Sequence, residues 1–200
     1  MYKNYIFDFG MVIVNFNPDY MTKQYIKDEK DREVAKEVIF DRLYWDKLDK
    51  GTITDEEVIE GIKSRLPERL HQAATDVYNN WYYHLPYIDG MYDLIKAIKE
   101  NGGKLFLLSN ISYTFAKNWQ NTEQLADLFS LFDGLVFSAE AGKIKPNADI
   151  FQHLLYKYNL AADDTIFIDD NINNVNGAKA VGVDAYLFDG NAEKLRKNII

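Results

Sequence analysis

Five short runs of aromatic and aliphatic residues, spread along the chain, constrain its fold more than any other feature. The runs are YIFDF (5–9), KLFLLSN (104–110), GLVFS (134–138), TIFIDD (165–170) and DAYLF (184–188). Apolar runs of this kind are typical of strands that are buried on both faces of a sheet. After residue 104 the spacers have the length of helices, at 113–121, 147–158 and 172–181. Strands that alternate with helices predict a Rossmann-like α/β core with a parallel sheet.

Residues 16–86 interrupt this alternation, because they contain no convincing strand. Within GTITDEEVIEGI (51–62), Thr54 and Glu57 have the spacing of a capping box, which predicts the start of a helix. The helical pattern continues in GMYDLIKAIKENGG (90–103), which ends in a glycine pair, as helices commonly do. We therefore expect residues 1–15 and 87–200 to form the α/β core. Residues 16–86 are expected to form a helical cap above the carboxyl ends of the strands, with hinges near residues 16–17 and 86.

Composition limits the classes of partner and of chemistry. The 200 residues carry a formal net charge of −8, which argues against nucleic acid or an anionic membrane as the main partner. The chain has no cysteine, so disulfides, thiolate catalysis and cysteine-based zinc sites are excluded. Asp8 interrupts the first apolar run, and no stretch approaches the roughly 18 apolar residues of a transmembrane helix. We expect a cytoplasmic protein with a small-molecule substrate, and the sequence indicates no oligomeric state.

Polar side chains stand at the carboxyl end of each of the first four predicted strands. In chain order they are Asp8, the pair Ser109 and Asn110, Lys145, and the pair Asp169 and Asp170. Each has an ordinary structural explanation when it is taken alone, such as a helix cap, a surface lysine or an acidic loop. Because ligands of parallel sheets bind outside the carboxyl ends of the strands, we expect all of them to meet in one crevice.

The charges of these residues indicate what the crevice holds. Asp8, Asp169 and Asp170 would place three carboxylates together, and like charges at close range cannot all stay ionised without a counter-charge. Oxygen ligands that leave room for water suit Mg²⁺ better than zinc. Lys145 and the hydroxyl of Ser109 would then face an anionic substrate group. A carboxylate nucleophile, Mg²⁺, a lysine and a hydroxyl are the parts needed for phosphoryl transfer through an aspartyl-phosphate.

The order of these motifs resembles the haloacid dehalogenase (HAD) superfamily, and the resemblance spans residues 5 to about 182. The helical insertion at 16–86 occupies the place of the C1-type cap of that superfamily. The stretches IFDFGMVIVNF, LLSNI, KIKPNADIFQHLL and DTIFIDDNINNVNGAKAVG are similar to the bacterial subgroup that includes the α-D-glucose-1-phosphate phosphatase. The resemblance implies an Mg²⁺-dependent phosphatase that acts on small phosphorylated metabolites, with sugar phosphates as the expected class.

The resemblance also implies a metal site. Asp8 is the nucleophile and a ligand of Mg²⁺, and the main-chain carbonyl of Gly10 is a second ligand. Asp170 matches the direct carboxylate ligand that follows the fourth strand. Asp169 then contacts the metal through a water molecule or supports the direct ligands. Asn174 stands where many members have a further acid.

Three residues are implied on the phosphate side of the site. The hydroxyl of Ser109 binds the transferred phosphoryl group, and Asn110 stands beside it. Lys145 neutralises charge on the nucleophile and on the phosphate. Aromatic residues in RLYWDKL (42–48) and NNWYYHL (79–85) are candidates for the wall of the substrate pocket, although aromatics at helical spacing belong more often to a core.

Gly10 departs from the pattern of the resemblance. Most HAD phosphatases have a second aspartate at this position, which protonates the leaving group and later activates water. Glycine can do neither, although its carbonyl can still bind a metal. General acid–base catalysis contributes about 10²–10⁴-fold, so its loss favours a substrate with a good leaving group, such as an anomeric sugar phosphate.

Two other functions remain compatible with the same residues. L-2-haloacid dehalogenases also lack the second acid and displace halide without a metal, but a large residue usually stands where this chain has Gly10. The pair Asp169 and Asp170 also favours a metal. The second alternative is a HAD-fold binding or regulatory protein with little catalytic activity, since Gly10 and Asn174 both replace acids. A buried charge cluster costs stability when it is empty, which argues against that alternative.

Overall fold

A five-stranded parallel sheet forms the centre of the protein, as the sequence predicts. The computed structural model describes residues 2–200, and for Arg42 only the backbone. The strand order is β3-β2-β1-β4-β5, and every neighbouring pair is parallel. The strands are β1 (Asn4–Phe7), β2 (Lys104–Ser109), β3 (Gly134–Phe137), β4 (Thr165–Asp169) and β5 (Asp184–Leu187).

The central strands are buried on both faces. In β1, Tyr5 and Phe7 belong to the core on one side of the sheet, whereas Ile6 belongs to the core on the other side. In β4, Ile168 and Phe167 divide between the two cores in the same way. Alternate side chains of a strand point to opposite faces, so helices must cover both sides.

Twelve helices accompany the sheet in the described part of the chain. Their bounds are α1 (Pro18–Lys23), α2 (Glu29–Ile39), α3 (Arg42–Asp49), α4 (Asp55–Arg65), α5 (His71–Asn80), α6 (Met91–Glu100), α7 (Tyr113–Asn118), α8 (Glu123–Ser130), α9 (Ser138–Ala141), α10 (Ala148–Tyr158), α11 (Ile172–Ala180) and α12 (Ala192–Ile199). Between residues 2 and 200, none of them is long and apolar enough to cross a membrane. The predicted helix at 113–121 is α7 followed by a 3-10 turn at Trp119–Asn121.

Helices α1–α5 all lie within residues 16–86 and have an apolar core of their own. Val38 of α2, Ile62 of α4 and Val77 of α5 belong to this core, which is separate from the two cores of the sheet. The predicted capping box opens α4: the N–H of Glu57 donates to Thr54 Oγ1 at 3.2 Å, and the N–H of Thr54 donates to Glu57 Oε2 at 2.9 Å. The described part of this segment contains no strand, as the sequence predicts.

The chain enters and leaves this helical segment through one paired connection. Val14 and Tyr87 form an antiparallel bridge. The N–H of Asn15 donates to the carbonyl of Pro86 at 2.8 Å, and the N–H of Ile88 donates to the carbonyl of Ile13 at 2.9 Å. The two connections therefore run side by side as a short ribbon.

Hydrogen bonds to the core hold the helical segment over the carboxyl ends of β2 and β3. Thr114 in α7 donates its hydroxyl to the carboxylate of Asp55, which also accepts from the hydroxyl of Tyr78 at 2.6 Å. Ser138, the first residue after β3, donates its hydroxyl to the carbonyl of Asp49 at 2.6 Å.

A close contact between α11 and the loop that carries Lys145 requires glycine at position 177. A Cβ atom on Gly177 would lie 2.3 Å from the carbonyl oxygen of Pro146 and 3.0 Å from the ring of Phe151. Gly177→Ala must therefore displace the backbone beside Lys145. Overpacking of this kind costs about 1–3 kcal/mol.

We predict that Gly177→Ala lowers the free energy of unfolding by about 1–3 kcal/mol, as measured by urea denaturation. Asn176→Ala, at the exposed neighbouring position of the same helix, is the control and should change stability by less than about 0.5 kcal/mol. Equal stability of the two variants would show that the loop that carries Lys145 accommodates the added methyl group without loss of stability.

Candidate active site

The polar residues that follow the strands meet at the carboxyl edge of the sheet. Asp8 follows β1, Ser109 ends β2 and Asp169 ends β4. One carboxylate oxygen each of Asp8, Asp169 and Asp170 lies within 4.8 Å of the others. The topology produces this cluster because β1 lies between β2 and β4 in the sheet.

A buried lysine joins two of these carboxylates. Lys145 Nζ lies 2.8 Å from Asp8 Oδ1 and 2.8 Å from Asp169 Oδ2, and the lysine side chain has no exposed surface. Burial by itself lowers the pKa of Lys145, but the charges of Asp8 and Asp169 outweigh that effect and leave the pKa raised. The side chain therefore remains an ammonium ion between two carboxylates.

Asp8 is held in an environment that disfavours its anion. Burial raises its pKa to about 7, the neighbouring Asp169 adds to the rise, and Lys145 opposes it. The pKa of Asp170 is also raised, first by partial burial and then by Asp169. One lysine thus faces three carboxylates, which leaves excess negative charge when all of them are ionised.

The donor atoms of this cluster fit a hard divalent cation. They are carboxylate oxygens, which Mg²⁺ prefers, and the residues range from buried Asp169 to exposed Asp170, so solvent can reach the site. A cation among them would balance the negative charge of the carboxylates and favour the ionised form of Asp8.

Asp169 is saturated by contacts within the protein. Its carboxylate accepts hydrogen bonds from Lys145 Nζ at 2.8 Å and from the N–H of Asn171 at 2.8 Å. The side-chain amide of Asn174 donates to both of its oxygens, at 3.1 and 3.0 Å. Asn174 therefore orients Asp169, and the exposed Asp170 is the carboxylate better placed to face an ion.

Asn110 binds the main chain of Lys145. Its Oδ1 accepts from the N–H of Lys145 at 2.9 Å, and its Nδ2 donates to the carbonyl of Lys145 at 3.0 Å. The side chain thus fixes the loop that carries the lysine. The sequence placed Asn110 beside the phosphate and gave no sign of this contact, because the two residues are 35 positions apart.

A cavity of about 220 Å³ opens at the cluster and extends beneath the helical segment. Asp8, Ser109 and Asn110 supply the polar side chains of its lining, whereas the other lining residues are glycine, aliphatic or aromatic. We call three of its residues the aromatic wall: Phe16, Trp45 in α3, and Trp81 in the 3-10 turn after α5. Of the two aromatic stretches that the sequence indicated, only these two tryptophans line the cavity, and Phe16 was not foreseen there.

A larger cavity of about 550 Å³ lies at the opposite edge of the sheet. Tyr2, Lys3 and Lys104, at the amino ends of β1 and β2, are among its lining residues. None of the three carboxylates lies there, so the smaller cavity is the candidate active site.

Several known proteins are similar to this chain in sequence. A family profile described as haloacid dehalogenase-like hydrolase matches residues 5–188. The chain is 26% identical over 182 residues to a sesquiterpene phosphatase of Aspergillus oryzae, covering 91% of this chain and 87% of that protein. It is also 24% identical over 199 residues to a D-ribitol-5-phosphate phosphatase of Bacteroides thetaiotaomicron, covering 96% and 95% of the two chains.

Solved structures share the fold. A HAD family enzyme of Bacteroides thetaiotaomicron, in complex with magnesium and inorganic phosphate, superposes with a TM-score of 0.73 at 21% identity, covering 98% of this chain and 99% of that one. A predicted HAD-like hydrolase of Porphyromonas gingivalis superposes with a TM-score of 0.70 at 21% identity, covering 100% and 98%. At this identity the likeness concerns the fold alone.

We predict that Lys145→Met lowers the free energy of unfolding by about 3–5 kcal/mol in EDTA, because it leaves two close carboxylates without their buried cation. Urea denaturation measures the change. Lys143→Met, at a partly exposed position in the same loop, is the control and should cost less than about 0.5 kcal/mol. A similar small cost for both variants would mean that the carboxylates are neutral in the folded protein.

Proposed function

The chain belongs to the haloacid dehalogenase-like hydrolase family, and from this premise we propose that it is an Mg²⁺-dependent phosphomonoesterase that acts through an aspartyl-phosphate on Asp8. One observation carries the proposal: Asp8 lines the cavity, is paired with the buried Lys145 and lies close to two further carboxylates. Relatives named as phosphatases support the same reaction class.

Asp8, the main-chain carbonyl of Gly10 and Asp170 would hold the Mg²⁺ ion, with Asp169 and Asn174 behind them. The bound ion would neutralise negative charge on the carboxylates and on the phosphoryl group of the substrate. The structure of a fold relative with magnesium and inorganic phosphate supports this assignment.

The chain's own residues would perform the transfer. A carboxylate oxygen of Asp8 attacks phosphorus, the bond from phosphorus to the alcohol oxygen breaks, and that oxygen leaves with the electron pair and takes a proton from solvent. Lys145 holds Asp8 in place and neutralises charge on the transferred group, to which the hydroxyl of Ser109 donates a hydrogen bond. Asn110 maintains the position of Lys145 through its main chain. Water then attacks the aspartyl-phosphate, which releases inorganic phosphate and restores the carboxylate.

Residues 16–86 would act as the C1-type cap of the enzyme, over a core formed by residues 1–15 and 87–200. The separate apolar core of the helical segment supports this division, as does its paired connection to the rest of the chain. The cap supplies Phe16, Trp45 and Trp81 to the cavity, so it would contribute to the choice of substrate.

Small phosphorylated metabolites are the proposed substrates. The sequence favours sugar phosphates and the glucose-1-phosphate phosphatase subgroup, and the relative that acts on D-ribitol 5-phosphate supports a polyol or sugar ester. The relative named as a sesquiterpene phosphatase supports an apolar alcohol instead. A cytoplasmic location stays a prediction, and a chain without cysteine fits such a reducing compartment.

We predict that the purified protein releases inorganic phosphate from phosphomonoesters in the presence of Mg²⁺ and that EDTA abolishes the release. Asp8→Asn should reduce turnover by about 10³-fold or more, because the nucleophile is removed. Asp93→Asn, which changes an exposed acid in α6, is the control and should retain wild-type turnover. A colorimetric phosphate assay measures all three proteins.

Other results would point to the alternatives. Release of chloride from 2-chloropropionate, without release of phosphate from any ester, would identify a dehalogenase. Retention of phosphatase activity by Asp8→Asn would exclude the aspartyl-phosphate. Absence of both activities in the presence of Mg²⁺ would leave a binding or regulatory function.

A further inference from the structure

We infer that the site is built for aryl phosphates, whose leaving group is both aromatic and more acidic than an ordinary alcohol. The inference rests on the proposed function and specifies the substrate class of the same site. Two independent observations lead to it: none of the described residues that line the cavity is a second acid, and the aromatic wall forms part of that lining.

The described residues of the cavity wall include one titratable side chain, that of Asp8. Asp8 is the proposed nucleophile, so it cannot also protonate the leaving oxygen in the same step. Gly10 has no side chain, and a Cβ atom there would meet nothing within 4 Å. The space that a second acid would need is therefore open, and no described residue of the wall fills it with a proton donor of suitable strength.

An unassisted leaving group must be stable as an anion. A phenol has a pKa of about 10, as the tyrosine side chain shows, whereas the pKa of an ordinary alcohol is several units higher. When Asp8 attacks phosphorus, the phenolate can depart with the electron pair of the bond from phosphorus to oxygen and take its proton from solvent. An alkoxide needs the proton during the transfer, and this site does not supply one.

The aromatic wall favours a flat apolar group over a sugar. The ring centroids of Phe16, Trp45 and Trp81 lie 5.6–5.7 Å from one another, and each pair is edge to face. Phe16 and Trp45 are partly exposed, so the rings have surface left for a ligand. A bound aromatic ring that makes a contact of this kind with the wall gains binding energy beyond the area that it buries.

Two polar groups of the cavity lining that could bind sugar hydroxyls are already engaged. The indole N–H of Trp45 donates to the carbonyl of Ile39 at 2.9 Å. Asn110 uses its amide on the main chain of Lys145. A hydroxyl that leaves water without gaining a partner costs binding energy, so a polyol would be penalised in this cavity.

The cavity has room for one aromatic ring and a phosphoryl group. Its volume is about 220 Å³, whereas a cavity of about 150 Å³ lined by apolar side chains accommodates benzene. An anomeric sugar phosphate also has a good leaving group, but its sugar carries several hydroxyls. The aromatic wall therefore favours an aryl phosphate over an anomeric sugar phosphate.

Four esters test the two parts of the inference with wild-type enzyme and Mg²⁺. Phenyl phosphate is aromatic and has an acidic leaving group, and benzyl phosphate is aromatic only. Hexafluoroisopropyl phosphate has a leaving alcohol about as acidic as phenol but no ring, and D-ribitol 5-phosphate has neither property. We expect the highest kcat/KM for phenyl phosphate, intermediate values for benzyl and hexafluoroisopropyl phosphate, and the lowest for ribitol 5-phosphate. Benzyl phosphate equal to phenyl phosphate would overturn the requirement for an acidic leaving group, and hexafluoroisopropyl phosphate equal to phenyl phosphate would overturn the role of the ring.

Restoring an acid at position 10 tests the first part independently. Gly10→Asp should raise kcat/KM for benzyl phosphate by about tenfold or more, as a general acid does, and should change phenyl phosphate much less. Gly10→Asn introduces a side chain of the same size without an acid. This variant should therefore keep the wild-type ratio of kcat/KM for benzyl phosphate to kcat/KM for phenyl phosphate. An unchanged ratio in Gly10→Asp would overturn this part.

A substitution in the aromatic wall tests the second part. Trp45→Leu should raise KM for phenyl phosphate by about threefold to tenfold, the worth of one aromatic contact, and should change KM for hexafluoroisopropyl phosphate much less. Trp119→Leu, at a partly buried indole that packs on Phe129 outside the cavity, controls for loss of stability. Equal effects of Trp45→Leu on both substrates would overturn the role of the wall.

The proposed function and this inference fail in different ways. If no ester releases phosphate, the proposed phosphatase is wrong and the inference falls with it. If ribitol 5-phosphate or α-D-glucose 1-phosphate exceeds phenyl phosphate, the phosphatase stands and the aryl specificity is wrong.

Discussion

The ion bridge from Asp8 through Lys145 to Asp169 is the interaction on which the rest of the site depends. It joins the residue that follows β1, the loop that follows β3 and the last residue of β4, so it requires the strand order that the sheet has. One ammonium group cannot balance three carboxylates, and the remaining charge makes the crevice receptive to a divalent cation. The same bridge holds the proposed nucleophile in position before any substrate arrives.

Much of the fold follows from local patterns in the sequence. All five strands lie within a residue or two of the predicted positions, because apolar runs buried on both faces have few other uses. Three helices were not foreseen. Of these, α9 is only four residues long, whereas α8 and α12 have signals that the sequence could have shown. In α8 these are buried Leu125 and Leu128 at helical spacing and a Thr122 cap, and in α12 they are buried Leu195 and Ile199 and an Asn191 cap.

The candidate site also has one part that the sequence predicts and another that it does not. Asp8, Ser109, Asp169 and Asp170 could be placed together because the ends of parallel strands share one edge. No comparable rule predicts side-chain contacts between segments that are far apart in the sequence. The pairing of the Asn110 amide with the main chain of Lys145, and the position of Phe16 against two tryptophans from other elements, depend on how the loops and the helical segment settle on the sheet.

The paired connection at Val14 and Tyr87 has a mechanical consequence for the aromatic wall. Both ends of the helical segment leave the core at one ribbon, so a rotation of the segment would turn about that line. Phe16 lies two residues from the bridge, near the axis, whereas Trp45 lies within the part that would swing. Such a rotation would move Trp45 farther than Phe16, so the separation of these two rings, and the space for an aromatic ligand between them, would depend on how far the segment has turned.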